Sequence, residues 1–176
     1  ETDKHTYTLL SFDQPNPLAG EGRLKDEGRL DGSARIEAGG RFGACLQVDG
    51  SGHAVFPTHL FDPSAMWIHH ANRCFSIEAW VRLEQYPAPG KKAPVVVRPD
   101  NDGGAIGFSF FVTTDGALEM AIAPRKGRVR TFTSNNGVVP LNEWVHLGGI
   151  SCGGHLSAGR DALHVNGEQV FSREAS

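Results

Sequence analysis

Apolar and polar residues alternate one for one through much of the chain, most clearly in Phe75-Ser76-Ile77-Glu78-Ala79-Trp80-Val81-Arg82-Leu83. A two-residue period puts Phe75, Ile77, Ala79, Val81 and Leu83 on one face of an extended strand, and the polar residues with Trp80 on the other. Similar runs predict strands at Tyr7 to Phe12, Ala44 to Val48, His53 to Phe56, Pro94 to Val97, Ile106 to Val112, Ala117 to Ala123, Val129 to Thr133, Trp144 to Ile150, Ala162 to Val165 and Gln169 to Ser172. Short strands at this spacing predict an all-β sandwich or barrel. Thr114-Asp115-Gly116 and Asn166-Gly167 fall between paired runs, and Asn-Gly favours the positive φ angles of a two-residue hairpin. From Gln14 to Gly40 the chain is rich in Gly, Asp, Glu and Arg and reads as a long surface connection, with a short strand at Ala34 to Glu37. No helical stripe is sustained; Pro63 to Asn72 has room for one helical turn within a loop.

The length, 176 residues, suits one domain with a sizeable core. At 39% hydrophobic and 21% charged residues the composition is globular, and no apolar run reaches membrane-spanning length. Net charge is -3, and the densest basic stretch, Arg125, Lys126, Arg128 and Arg130, reads as one solvated hairpin, which argues against a nucleic-acid partner. Glu1-Thr2-Asp3-Lys4 lacks the basic and apolar regions of a signal peptide, so the reading at this point is a processed chain or a piece of a longer one.

Gly40-Arg41-Phe42-Gly43-Ala44-Cys45-Leu46-Gln47-Val48-Asp49-Gly50, followed by His53-Ala54-Val55, resembles the opening of LamG-like jelly rolls. Phe75 to Val81 is similar to that family's central strand, and Leu141 to Leu147 followed by Leu163 to Glu168 to its Trp-containing strand and Asn-Gly hairpin. The resemblance spans Leu9 to Val170 and implies a two-sheet antiparallel jelly roll of the concanavalin A-like (LamG/pentraxin) kind, a single domain over 1–176. Such domains usually continue to a last strand beside the first. The expectation is therefore a domain lacking its closing strand, with Tyr7 to Phe12 left without a neighbour until a longer parent chain or a second chain supplies it.

Catalysis finds little support. Glycosidases on this fold use paired carboxylates, and Glu78 is the one acid in its strand, so it reads as a solvated or hydrogen-bonded residue. His69-His70 would point to opposite faces of a strand, and His146 and His164 read as strand residues making structural hydrogen bonds. No Gly-x-Ser-x-Gly elbow occurs, and Gly103-Gly104-Ala105-Ile106-Gly107 lacks the helix that would let it cradle phosphate. Sugar binding needs an exposed aromatic platform with polar anchors. Trp80 and Trp144 match packing positions of the family and read as structural. Trp67, with Asn72 in the same polar loop, is the candidate ligand site, against the alternative that Trp67 plugs the core.

The pentraxin resemblance implies two further features. The family's disulfide joins the strands matching Phe75 to Val81 and Trp144 to Ile150, at positions aligned with Glu78 and Gly148. Four steps along the same antiparallel register set Cys74 opposite Cys152 on the same face, so a Cys74–Cys152 disulfide and an oxidising compartment are expected. Cys45 is then left over, buried in a core strand. Asp100-Asn101-Asp102 is similar to the Asp-Asn pair of the pentraxin calcium site, and Asp49 and Asp13 are weaker candidates. Calcium wants six to eight oxygens, so these residues supply part of a site. The combined expectation is a non-catalytic module that binds glycan or protein within a larger secreted, periplasmic or cell-surface protein; the alternative is a structural domain packing inside an enzyme or assembly.

Overall fold

The computed structural model describes residues 8–22, 27–57, 74–98, 107–125, 128–152 and 159–175. Every described element is a β-strand. The strands fall into two units, divided between residues 61 and 62.

Among its described residues the first unit holds three antiparallel ribbons. β1 (Thr8–Leu9) pairs with β2 (Glu21–Gly22), β3 (Arg29–Asp31) with β6 (His53–Val55), and β4 (Arg35–Ala38) with β5 (Ala44–Gln47). Thr8–Leu9 therefore has a neighbour within the chain, contrary to expectation. The surface connection also carries two strands that its Gly-rich, charged sequence concealed, β2 and β3. Strands of two or three residues are too short to show a period. Cys45 is a free, half-buried thiol and not a core residue, because β5 belongs to a two-stranded ribbon.

The second unit is a sandwich of two four-stranded antiparallel sheets. One runs β11 (Arg128–Thr133), β10 (Leu118–Arg125), β9 (Gly107–Thr113), β8 (Lys92–Arg98). The other runs β14 (Glu168–Ala175), β13 (Gly159–Val165), β12 (Val145–Cys152), β7 (Cys74–Val81). Phe110, Val112, Leu118, Met120 and Phe132 of the first sheet meet Val145, Leu147, Leu163 and Val165 of the second in one buried cluster. Aromatic pairs bridge the layers, Phe75 to Phe108 at 6.0 Å between centroids and Phe132 to Phe171 at 5.8 Å. The turns obey their residues: Asn166 and Gly167 have φ of 50° and 82° in the β13–β14 hairpin, and Gly116 has φ of 70° between β9 and β10.

Charged side chains also enter the interior. Asp161 on β13 is fully buried and accepts from Arg130 Nη2 on β11 at 3.0 Å, Ser151 Oγ on β12 at 2.9 Å and Arg173 Nη2 on β14 at 3.2 Å. Burial of a carboxylate is tolerated because its lone pairs are met by charged donors. Arg130 is thus an inter-sheet tie and not part of a solvated hairpin; the alternation that exposes Val129 turns Arg130 and Phe132 inward.

Candidate functional site

The sheet β14-β13-β12-β7 has one face in the core and one facing outward, and strand registers fix which residues share the outer face. Trp80 lies opposite His146, Glu78 opposite Gly148, Ser76 opposite Ile150 and Cys74 opposite Cys152. On the other side of β12, Gly148 lies opposite His164. Alternation then assembles Trp80, His146, Glu78, Gly148 and His164 into one patch on three adjacent strands.

Trp80 is 39% exposed, and its ring lies 5.1 Å from that of His146 at 45°. His146 Nε2 is 3.5 Å from Glu78 Oε2, a carboxylate whose side chain is largely exposed. The His146 backbone is clamped by the hairpin: Asn166 Oδ1 accepts its N–H at 3.0 Å, and the Asn166 N–H donates to its carbonyl at 2.8 Å. The platform is therefore held by a sheet and a fixed turn, which suits recognition of a rigid ligand.

The adjacent glycines of β12 differ in kind. A Cβ on Gly149, which faces the core, would come within 2.7 Å of Met120 Sδ and 3.0 Å of Phe110 Cε2. On Gly148 it would meet only His164 Cβ at 3.6 Å and Glu78 Cγ at 4.0 Å, ordinary contacts. Core packing accounts for Gly149. It does not account for Gly148, which is buried between Glu78 and His164 on the neighbouring strands.

Glu78 has the expected polar setting. Its neighbours on this face, Ser76, Trp80, His146, Gly148, Ile150 and His164, include no second carboxylate, so these residues do not form the pair that glycoside hydrolysis requires. Trp80, expected as packing, is instead an outward aromatic. The signal was present in its phase, which it shares with Glu78 and not with Ile77. Cys74 and Cys152 are joined in a disulfide on this same face, with Cα atoms 4.0 Å apart. Trp67, Asn72 and the stretch Asp100, Asn101 and Asp102 lie outside the described residues. Asp49 Oδ1 accepts from the hydroxyls of Ser33 and Ser51 and from Ser51 N–H, and Asp13 Oδ1 accepts Ala44 N–H. Each carboxylate thus holds a local turn. Among the described residues no group of three or more His, Cys, Asp or Glu is placed to hold a metal.

A family description, Laminin_G_3 of the concanavalin A-like lectin/glucanases superfamily, matches residues 49–176. The chain belongs to this family. The Laminin_G_3 fold extends to solved structures at low identity. The protein described as HCR/D-Sa-GBL1/C is 14% identical with a TM-score of 0.64, over 99% of this chain and 41% of that one. An S-layer domain-containing protein from Clostridium thermocellum is 19% identical with a TM-score of 0.53, over 94% of this chain and 71% of that one. The chain thus spans about two fifths of the HCR chain it resembles. No curated protein is detectably similar.

Proposed function

We propose that this Laminin_G_3 domain is a non-catalytic recognition module that binds a glycan on the outer face of its disulfide-bearing sheet. Trp80 carries the reading: an indole 39% exposed on a rigid sheet offers an apolar face to a pyranose ring. Around it Glu78 supplies acceptors, and His146 and His164 supply a donor or acceptor each. Concave sites generally combine an apolar platform with a few polar anchors in this way. The family description covers lectins and glucanases alike, so the reading rests on the residues of this face and not on the fold. The Cys74–Cys152 bond supports a place outside the reducing cytoplasm, in a secreted, periplasmic or cell-surface protein.

The test is a glycan array probed with the full chain and with Trp80→Ala, each with and without calcium. The expected result is a discrete set of bound glycans that Trp80→Ala loses while the fold persists. Binding unchanged by Trp80→Ala, or no glycan bound at all, would reject this face and favour a packing role inside a larger protein.

A further inference from the structure

We infer that His146 makes the Trp80 face acid-sensitive: a neutral imidazole leaves the indole and the Glu78 carboxylate to a sugar, whereas an imidazolium draws both to itself and lowers the affinity of the face. The inference concerns regulation of the glycan-binding face and rests on that reading. His146 stands where the two groups meet. Register sets it directly opposite Trp80, one strand over and two residues along from Glu78. Its ring lies 5.1 Å from the indole, and its Nε2 lies 3.5 Å from Glu78 Oε2. Asn166 bonds both the N–H and the carbonyl of His146, so the backbone that carries the ring is fixed from its other side. The side chain is 29% exposed, and exchange of a proton with water needs no opening of the sheet.

Imidazole is the side chain whose charge changes between pH 5 and 8. In the neutral form one ring nitrogen donates and the other accepts. Protonation makes donors of both and sets a positive charge beside a carboxylate and an aromatic ring. The cation is then attracted to Glu78 as an ion pair and to Trp80 through the ring quadrupole. These are the two groups that a sugar needs here, the indole for its apolar face and the carboxylate for its hydroxyls. Acid therefore sets the imidazolium in competition with the ligand. Other charged and titratable groups surround the pair. From β7, Arg82 continues the phase of Glu78 and Trp80, is exposed, and keeps its charge throughout this range. From β13, His164 lies opposite Gly148, across the central strand from Glu78. The β13–β14 hairpin adds exposed Glu168, and the segment ahead of β12 adds exposed Glu143. Of the two imidazoles, His146 is the one opposite the indole, so the competition belongs to it.

The experiment follows the full chain from pH 7.5 to 5.5, with thermal melts at both ends to show that the fold persists. The first readout needs no ligand. An imidazolium quenches a neighbouring indole, so Trp80 emission should fall as the solution is acidified; because the chain has three tryptophans, it is taken as the difference between the parent and Trp80→Phe. His146→Gln, which cannot be protonated, should hold that emission level, and His164→Gln should not. The second readout is affinity for chitotriose, lactose and sialyllactose. The parent should bind its sugar about three- to tenfold more weakly at pH 5.5 than at pH 7.5, the size of an exposed cation–π contact and ion pair together. In His146→Gln that ratio should disappear, and in His164→Gln it should persist. Equal binding by the parent at both pH values would overturn the regulation and leave the glycan reading standing, as would a ratio retained by His146→Gln or lost in His164→Gln. Parent emission that stays level over this range would overturn the contact on which the regulation depends. No sugar bound at either pH would remove the glycan reading and its regulation together, even where the emission still titrates.

Discussion

In the first unit Asp13 and Asp49 stand in the open, accepting hydrogen bonds from Ala44 N–H and from Ser33 and Ser51. In the sandwich Asp161 is sealed from solvent and answered by Arg130, Arg173 and Ser151. All three carboxylates tie strands or turns together, but water competes freely for the first two and is excluded from the third. The same division runs through the apolar residues: every buried hydrophobic side chain among the described residues lies between Phe108 and Val165, and the side chains of the strands within 8–57 are at best half-buried. Substitutions of one chemical type should therefore cost very different amounts in the two regions.

The largest effect is expected at the covalent tie of the sandwich. Cys74 and Cys152 are separated by 78 positions, and a loop of that length, opened in the unfolded state, costs the fold about 4 kcal/mol. Paired Cys74→Ser and Cys152→Ser substitution should lower the denaturation midpoint accordingly, and the parent protein should lose the same stability on reduction. A reduced protein as stable as the oxidised one would show the bond to be dispensable.

Next comes the buried charge. Asp161→Ala leaves Arg130 and Arg173 facing an apolar interior, and removing one partner of a buried pair costs about 3–5 kcal/mol. Because the Arg130 side chain is 30% exposed and that of Arg173 43%, both have routes to water, and the lower end of that range is expected. Asp49→Ala, at an exposed carboxylate, should barely move the melt. Equal effects at the two sites would break the contrast between the regions.

A smaller step separates the two faces of one strand. Gly149→Val drives a side chain into Met120 and Phe110, overpacking that costs about 1–3 kcal/mol. The same change at Gly148, where an added Cβ would meet only His164 Cβ at 3.6 Å and Glu78 Cγ at 4.0 Å, should cost less. Urea midpoints of the two variants give the comparison directly. Equal losses would mean that the outer face is as tightly packed as the inner one.

The legible and illegible parts of the sequence follow the same physical division. Period-two alternation marks a strand half in and half out of a core, so β7, β9, β10 and β12 could be read within a residue or two. The ribbons of the first unit bury no continuous face, which is why β2 and β3 left no pattern and Cys45 was assigned to a core that β5 does not enter. Trp80 matches a packing position of the family, yet the alternation around Glu78 turns it outward. The basic neighbours of Arg130 suggest solvent, while its phase with Phe132 points inward to Asp161. The disulfide was legible because the pentraxin resemblance supplied the register, and Glu78 opposite Gly148 carries Cys74 opposite Cys152 with it. Side-chain partnerships across the sandwich, such as Arg130 with Asp161, depend on how two sheets stack, which one strand's pattern does not encode.

The smallest effect is confined to the first unit and depends on pH. Asp49 is held down at about 2 by the hydrogen bond from Ser33 Oγ, then by those from the Ser51 hydroxyl and the Ser51 N–H. Its folded pKa lies below the unfolded value of 3.8, so the turn gains stability from ionised Asp49 that is fully present above 3.8 and is lost as pH falls toward 2. Neutral and mildly acidic solutions should leave the turn intact. The Ser51 amide resonance, whose N–H donates to Asp49 Oδ1 at 2.9 Å, should titrate with a midpoint near 2, and Asp49→Asn should flatten that titration. Ser33→Ala, which removes the leading cause, should raise the midpoint toward 3.8 without moving the amides of β12. A parent midpoint already at 3.8 would mean that the hydroxyls do not hold the charge, and a shift shared by the β12 amides would mean that the turn and the sandwich respond to acid together.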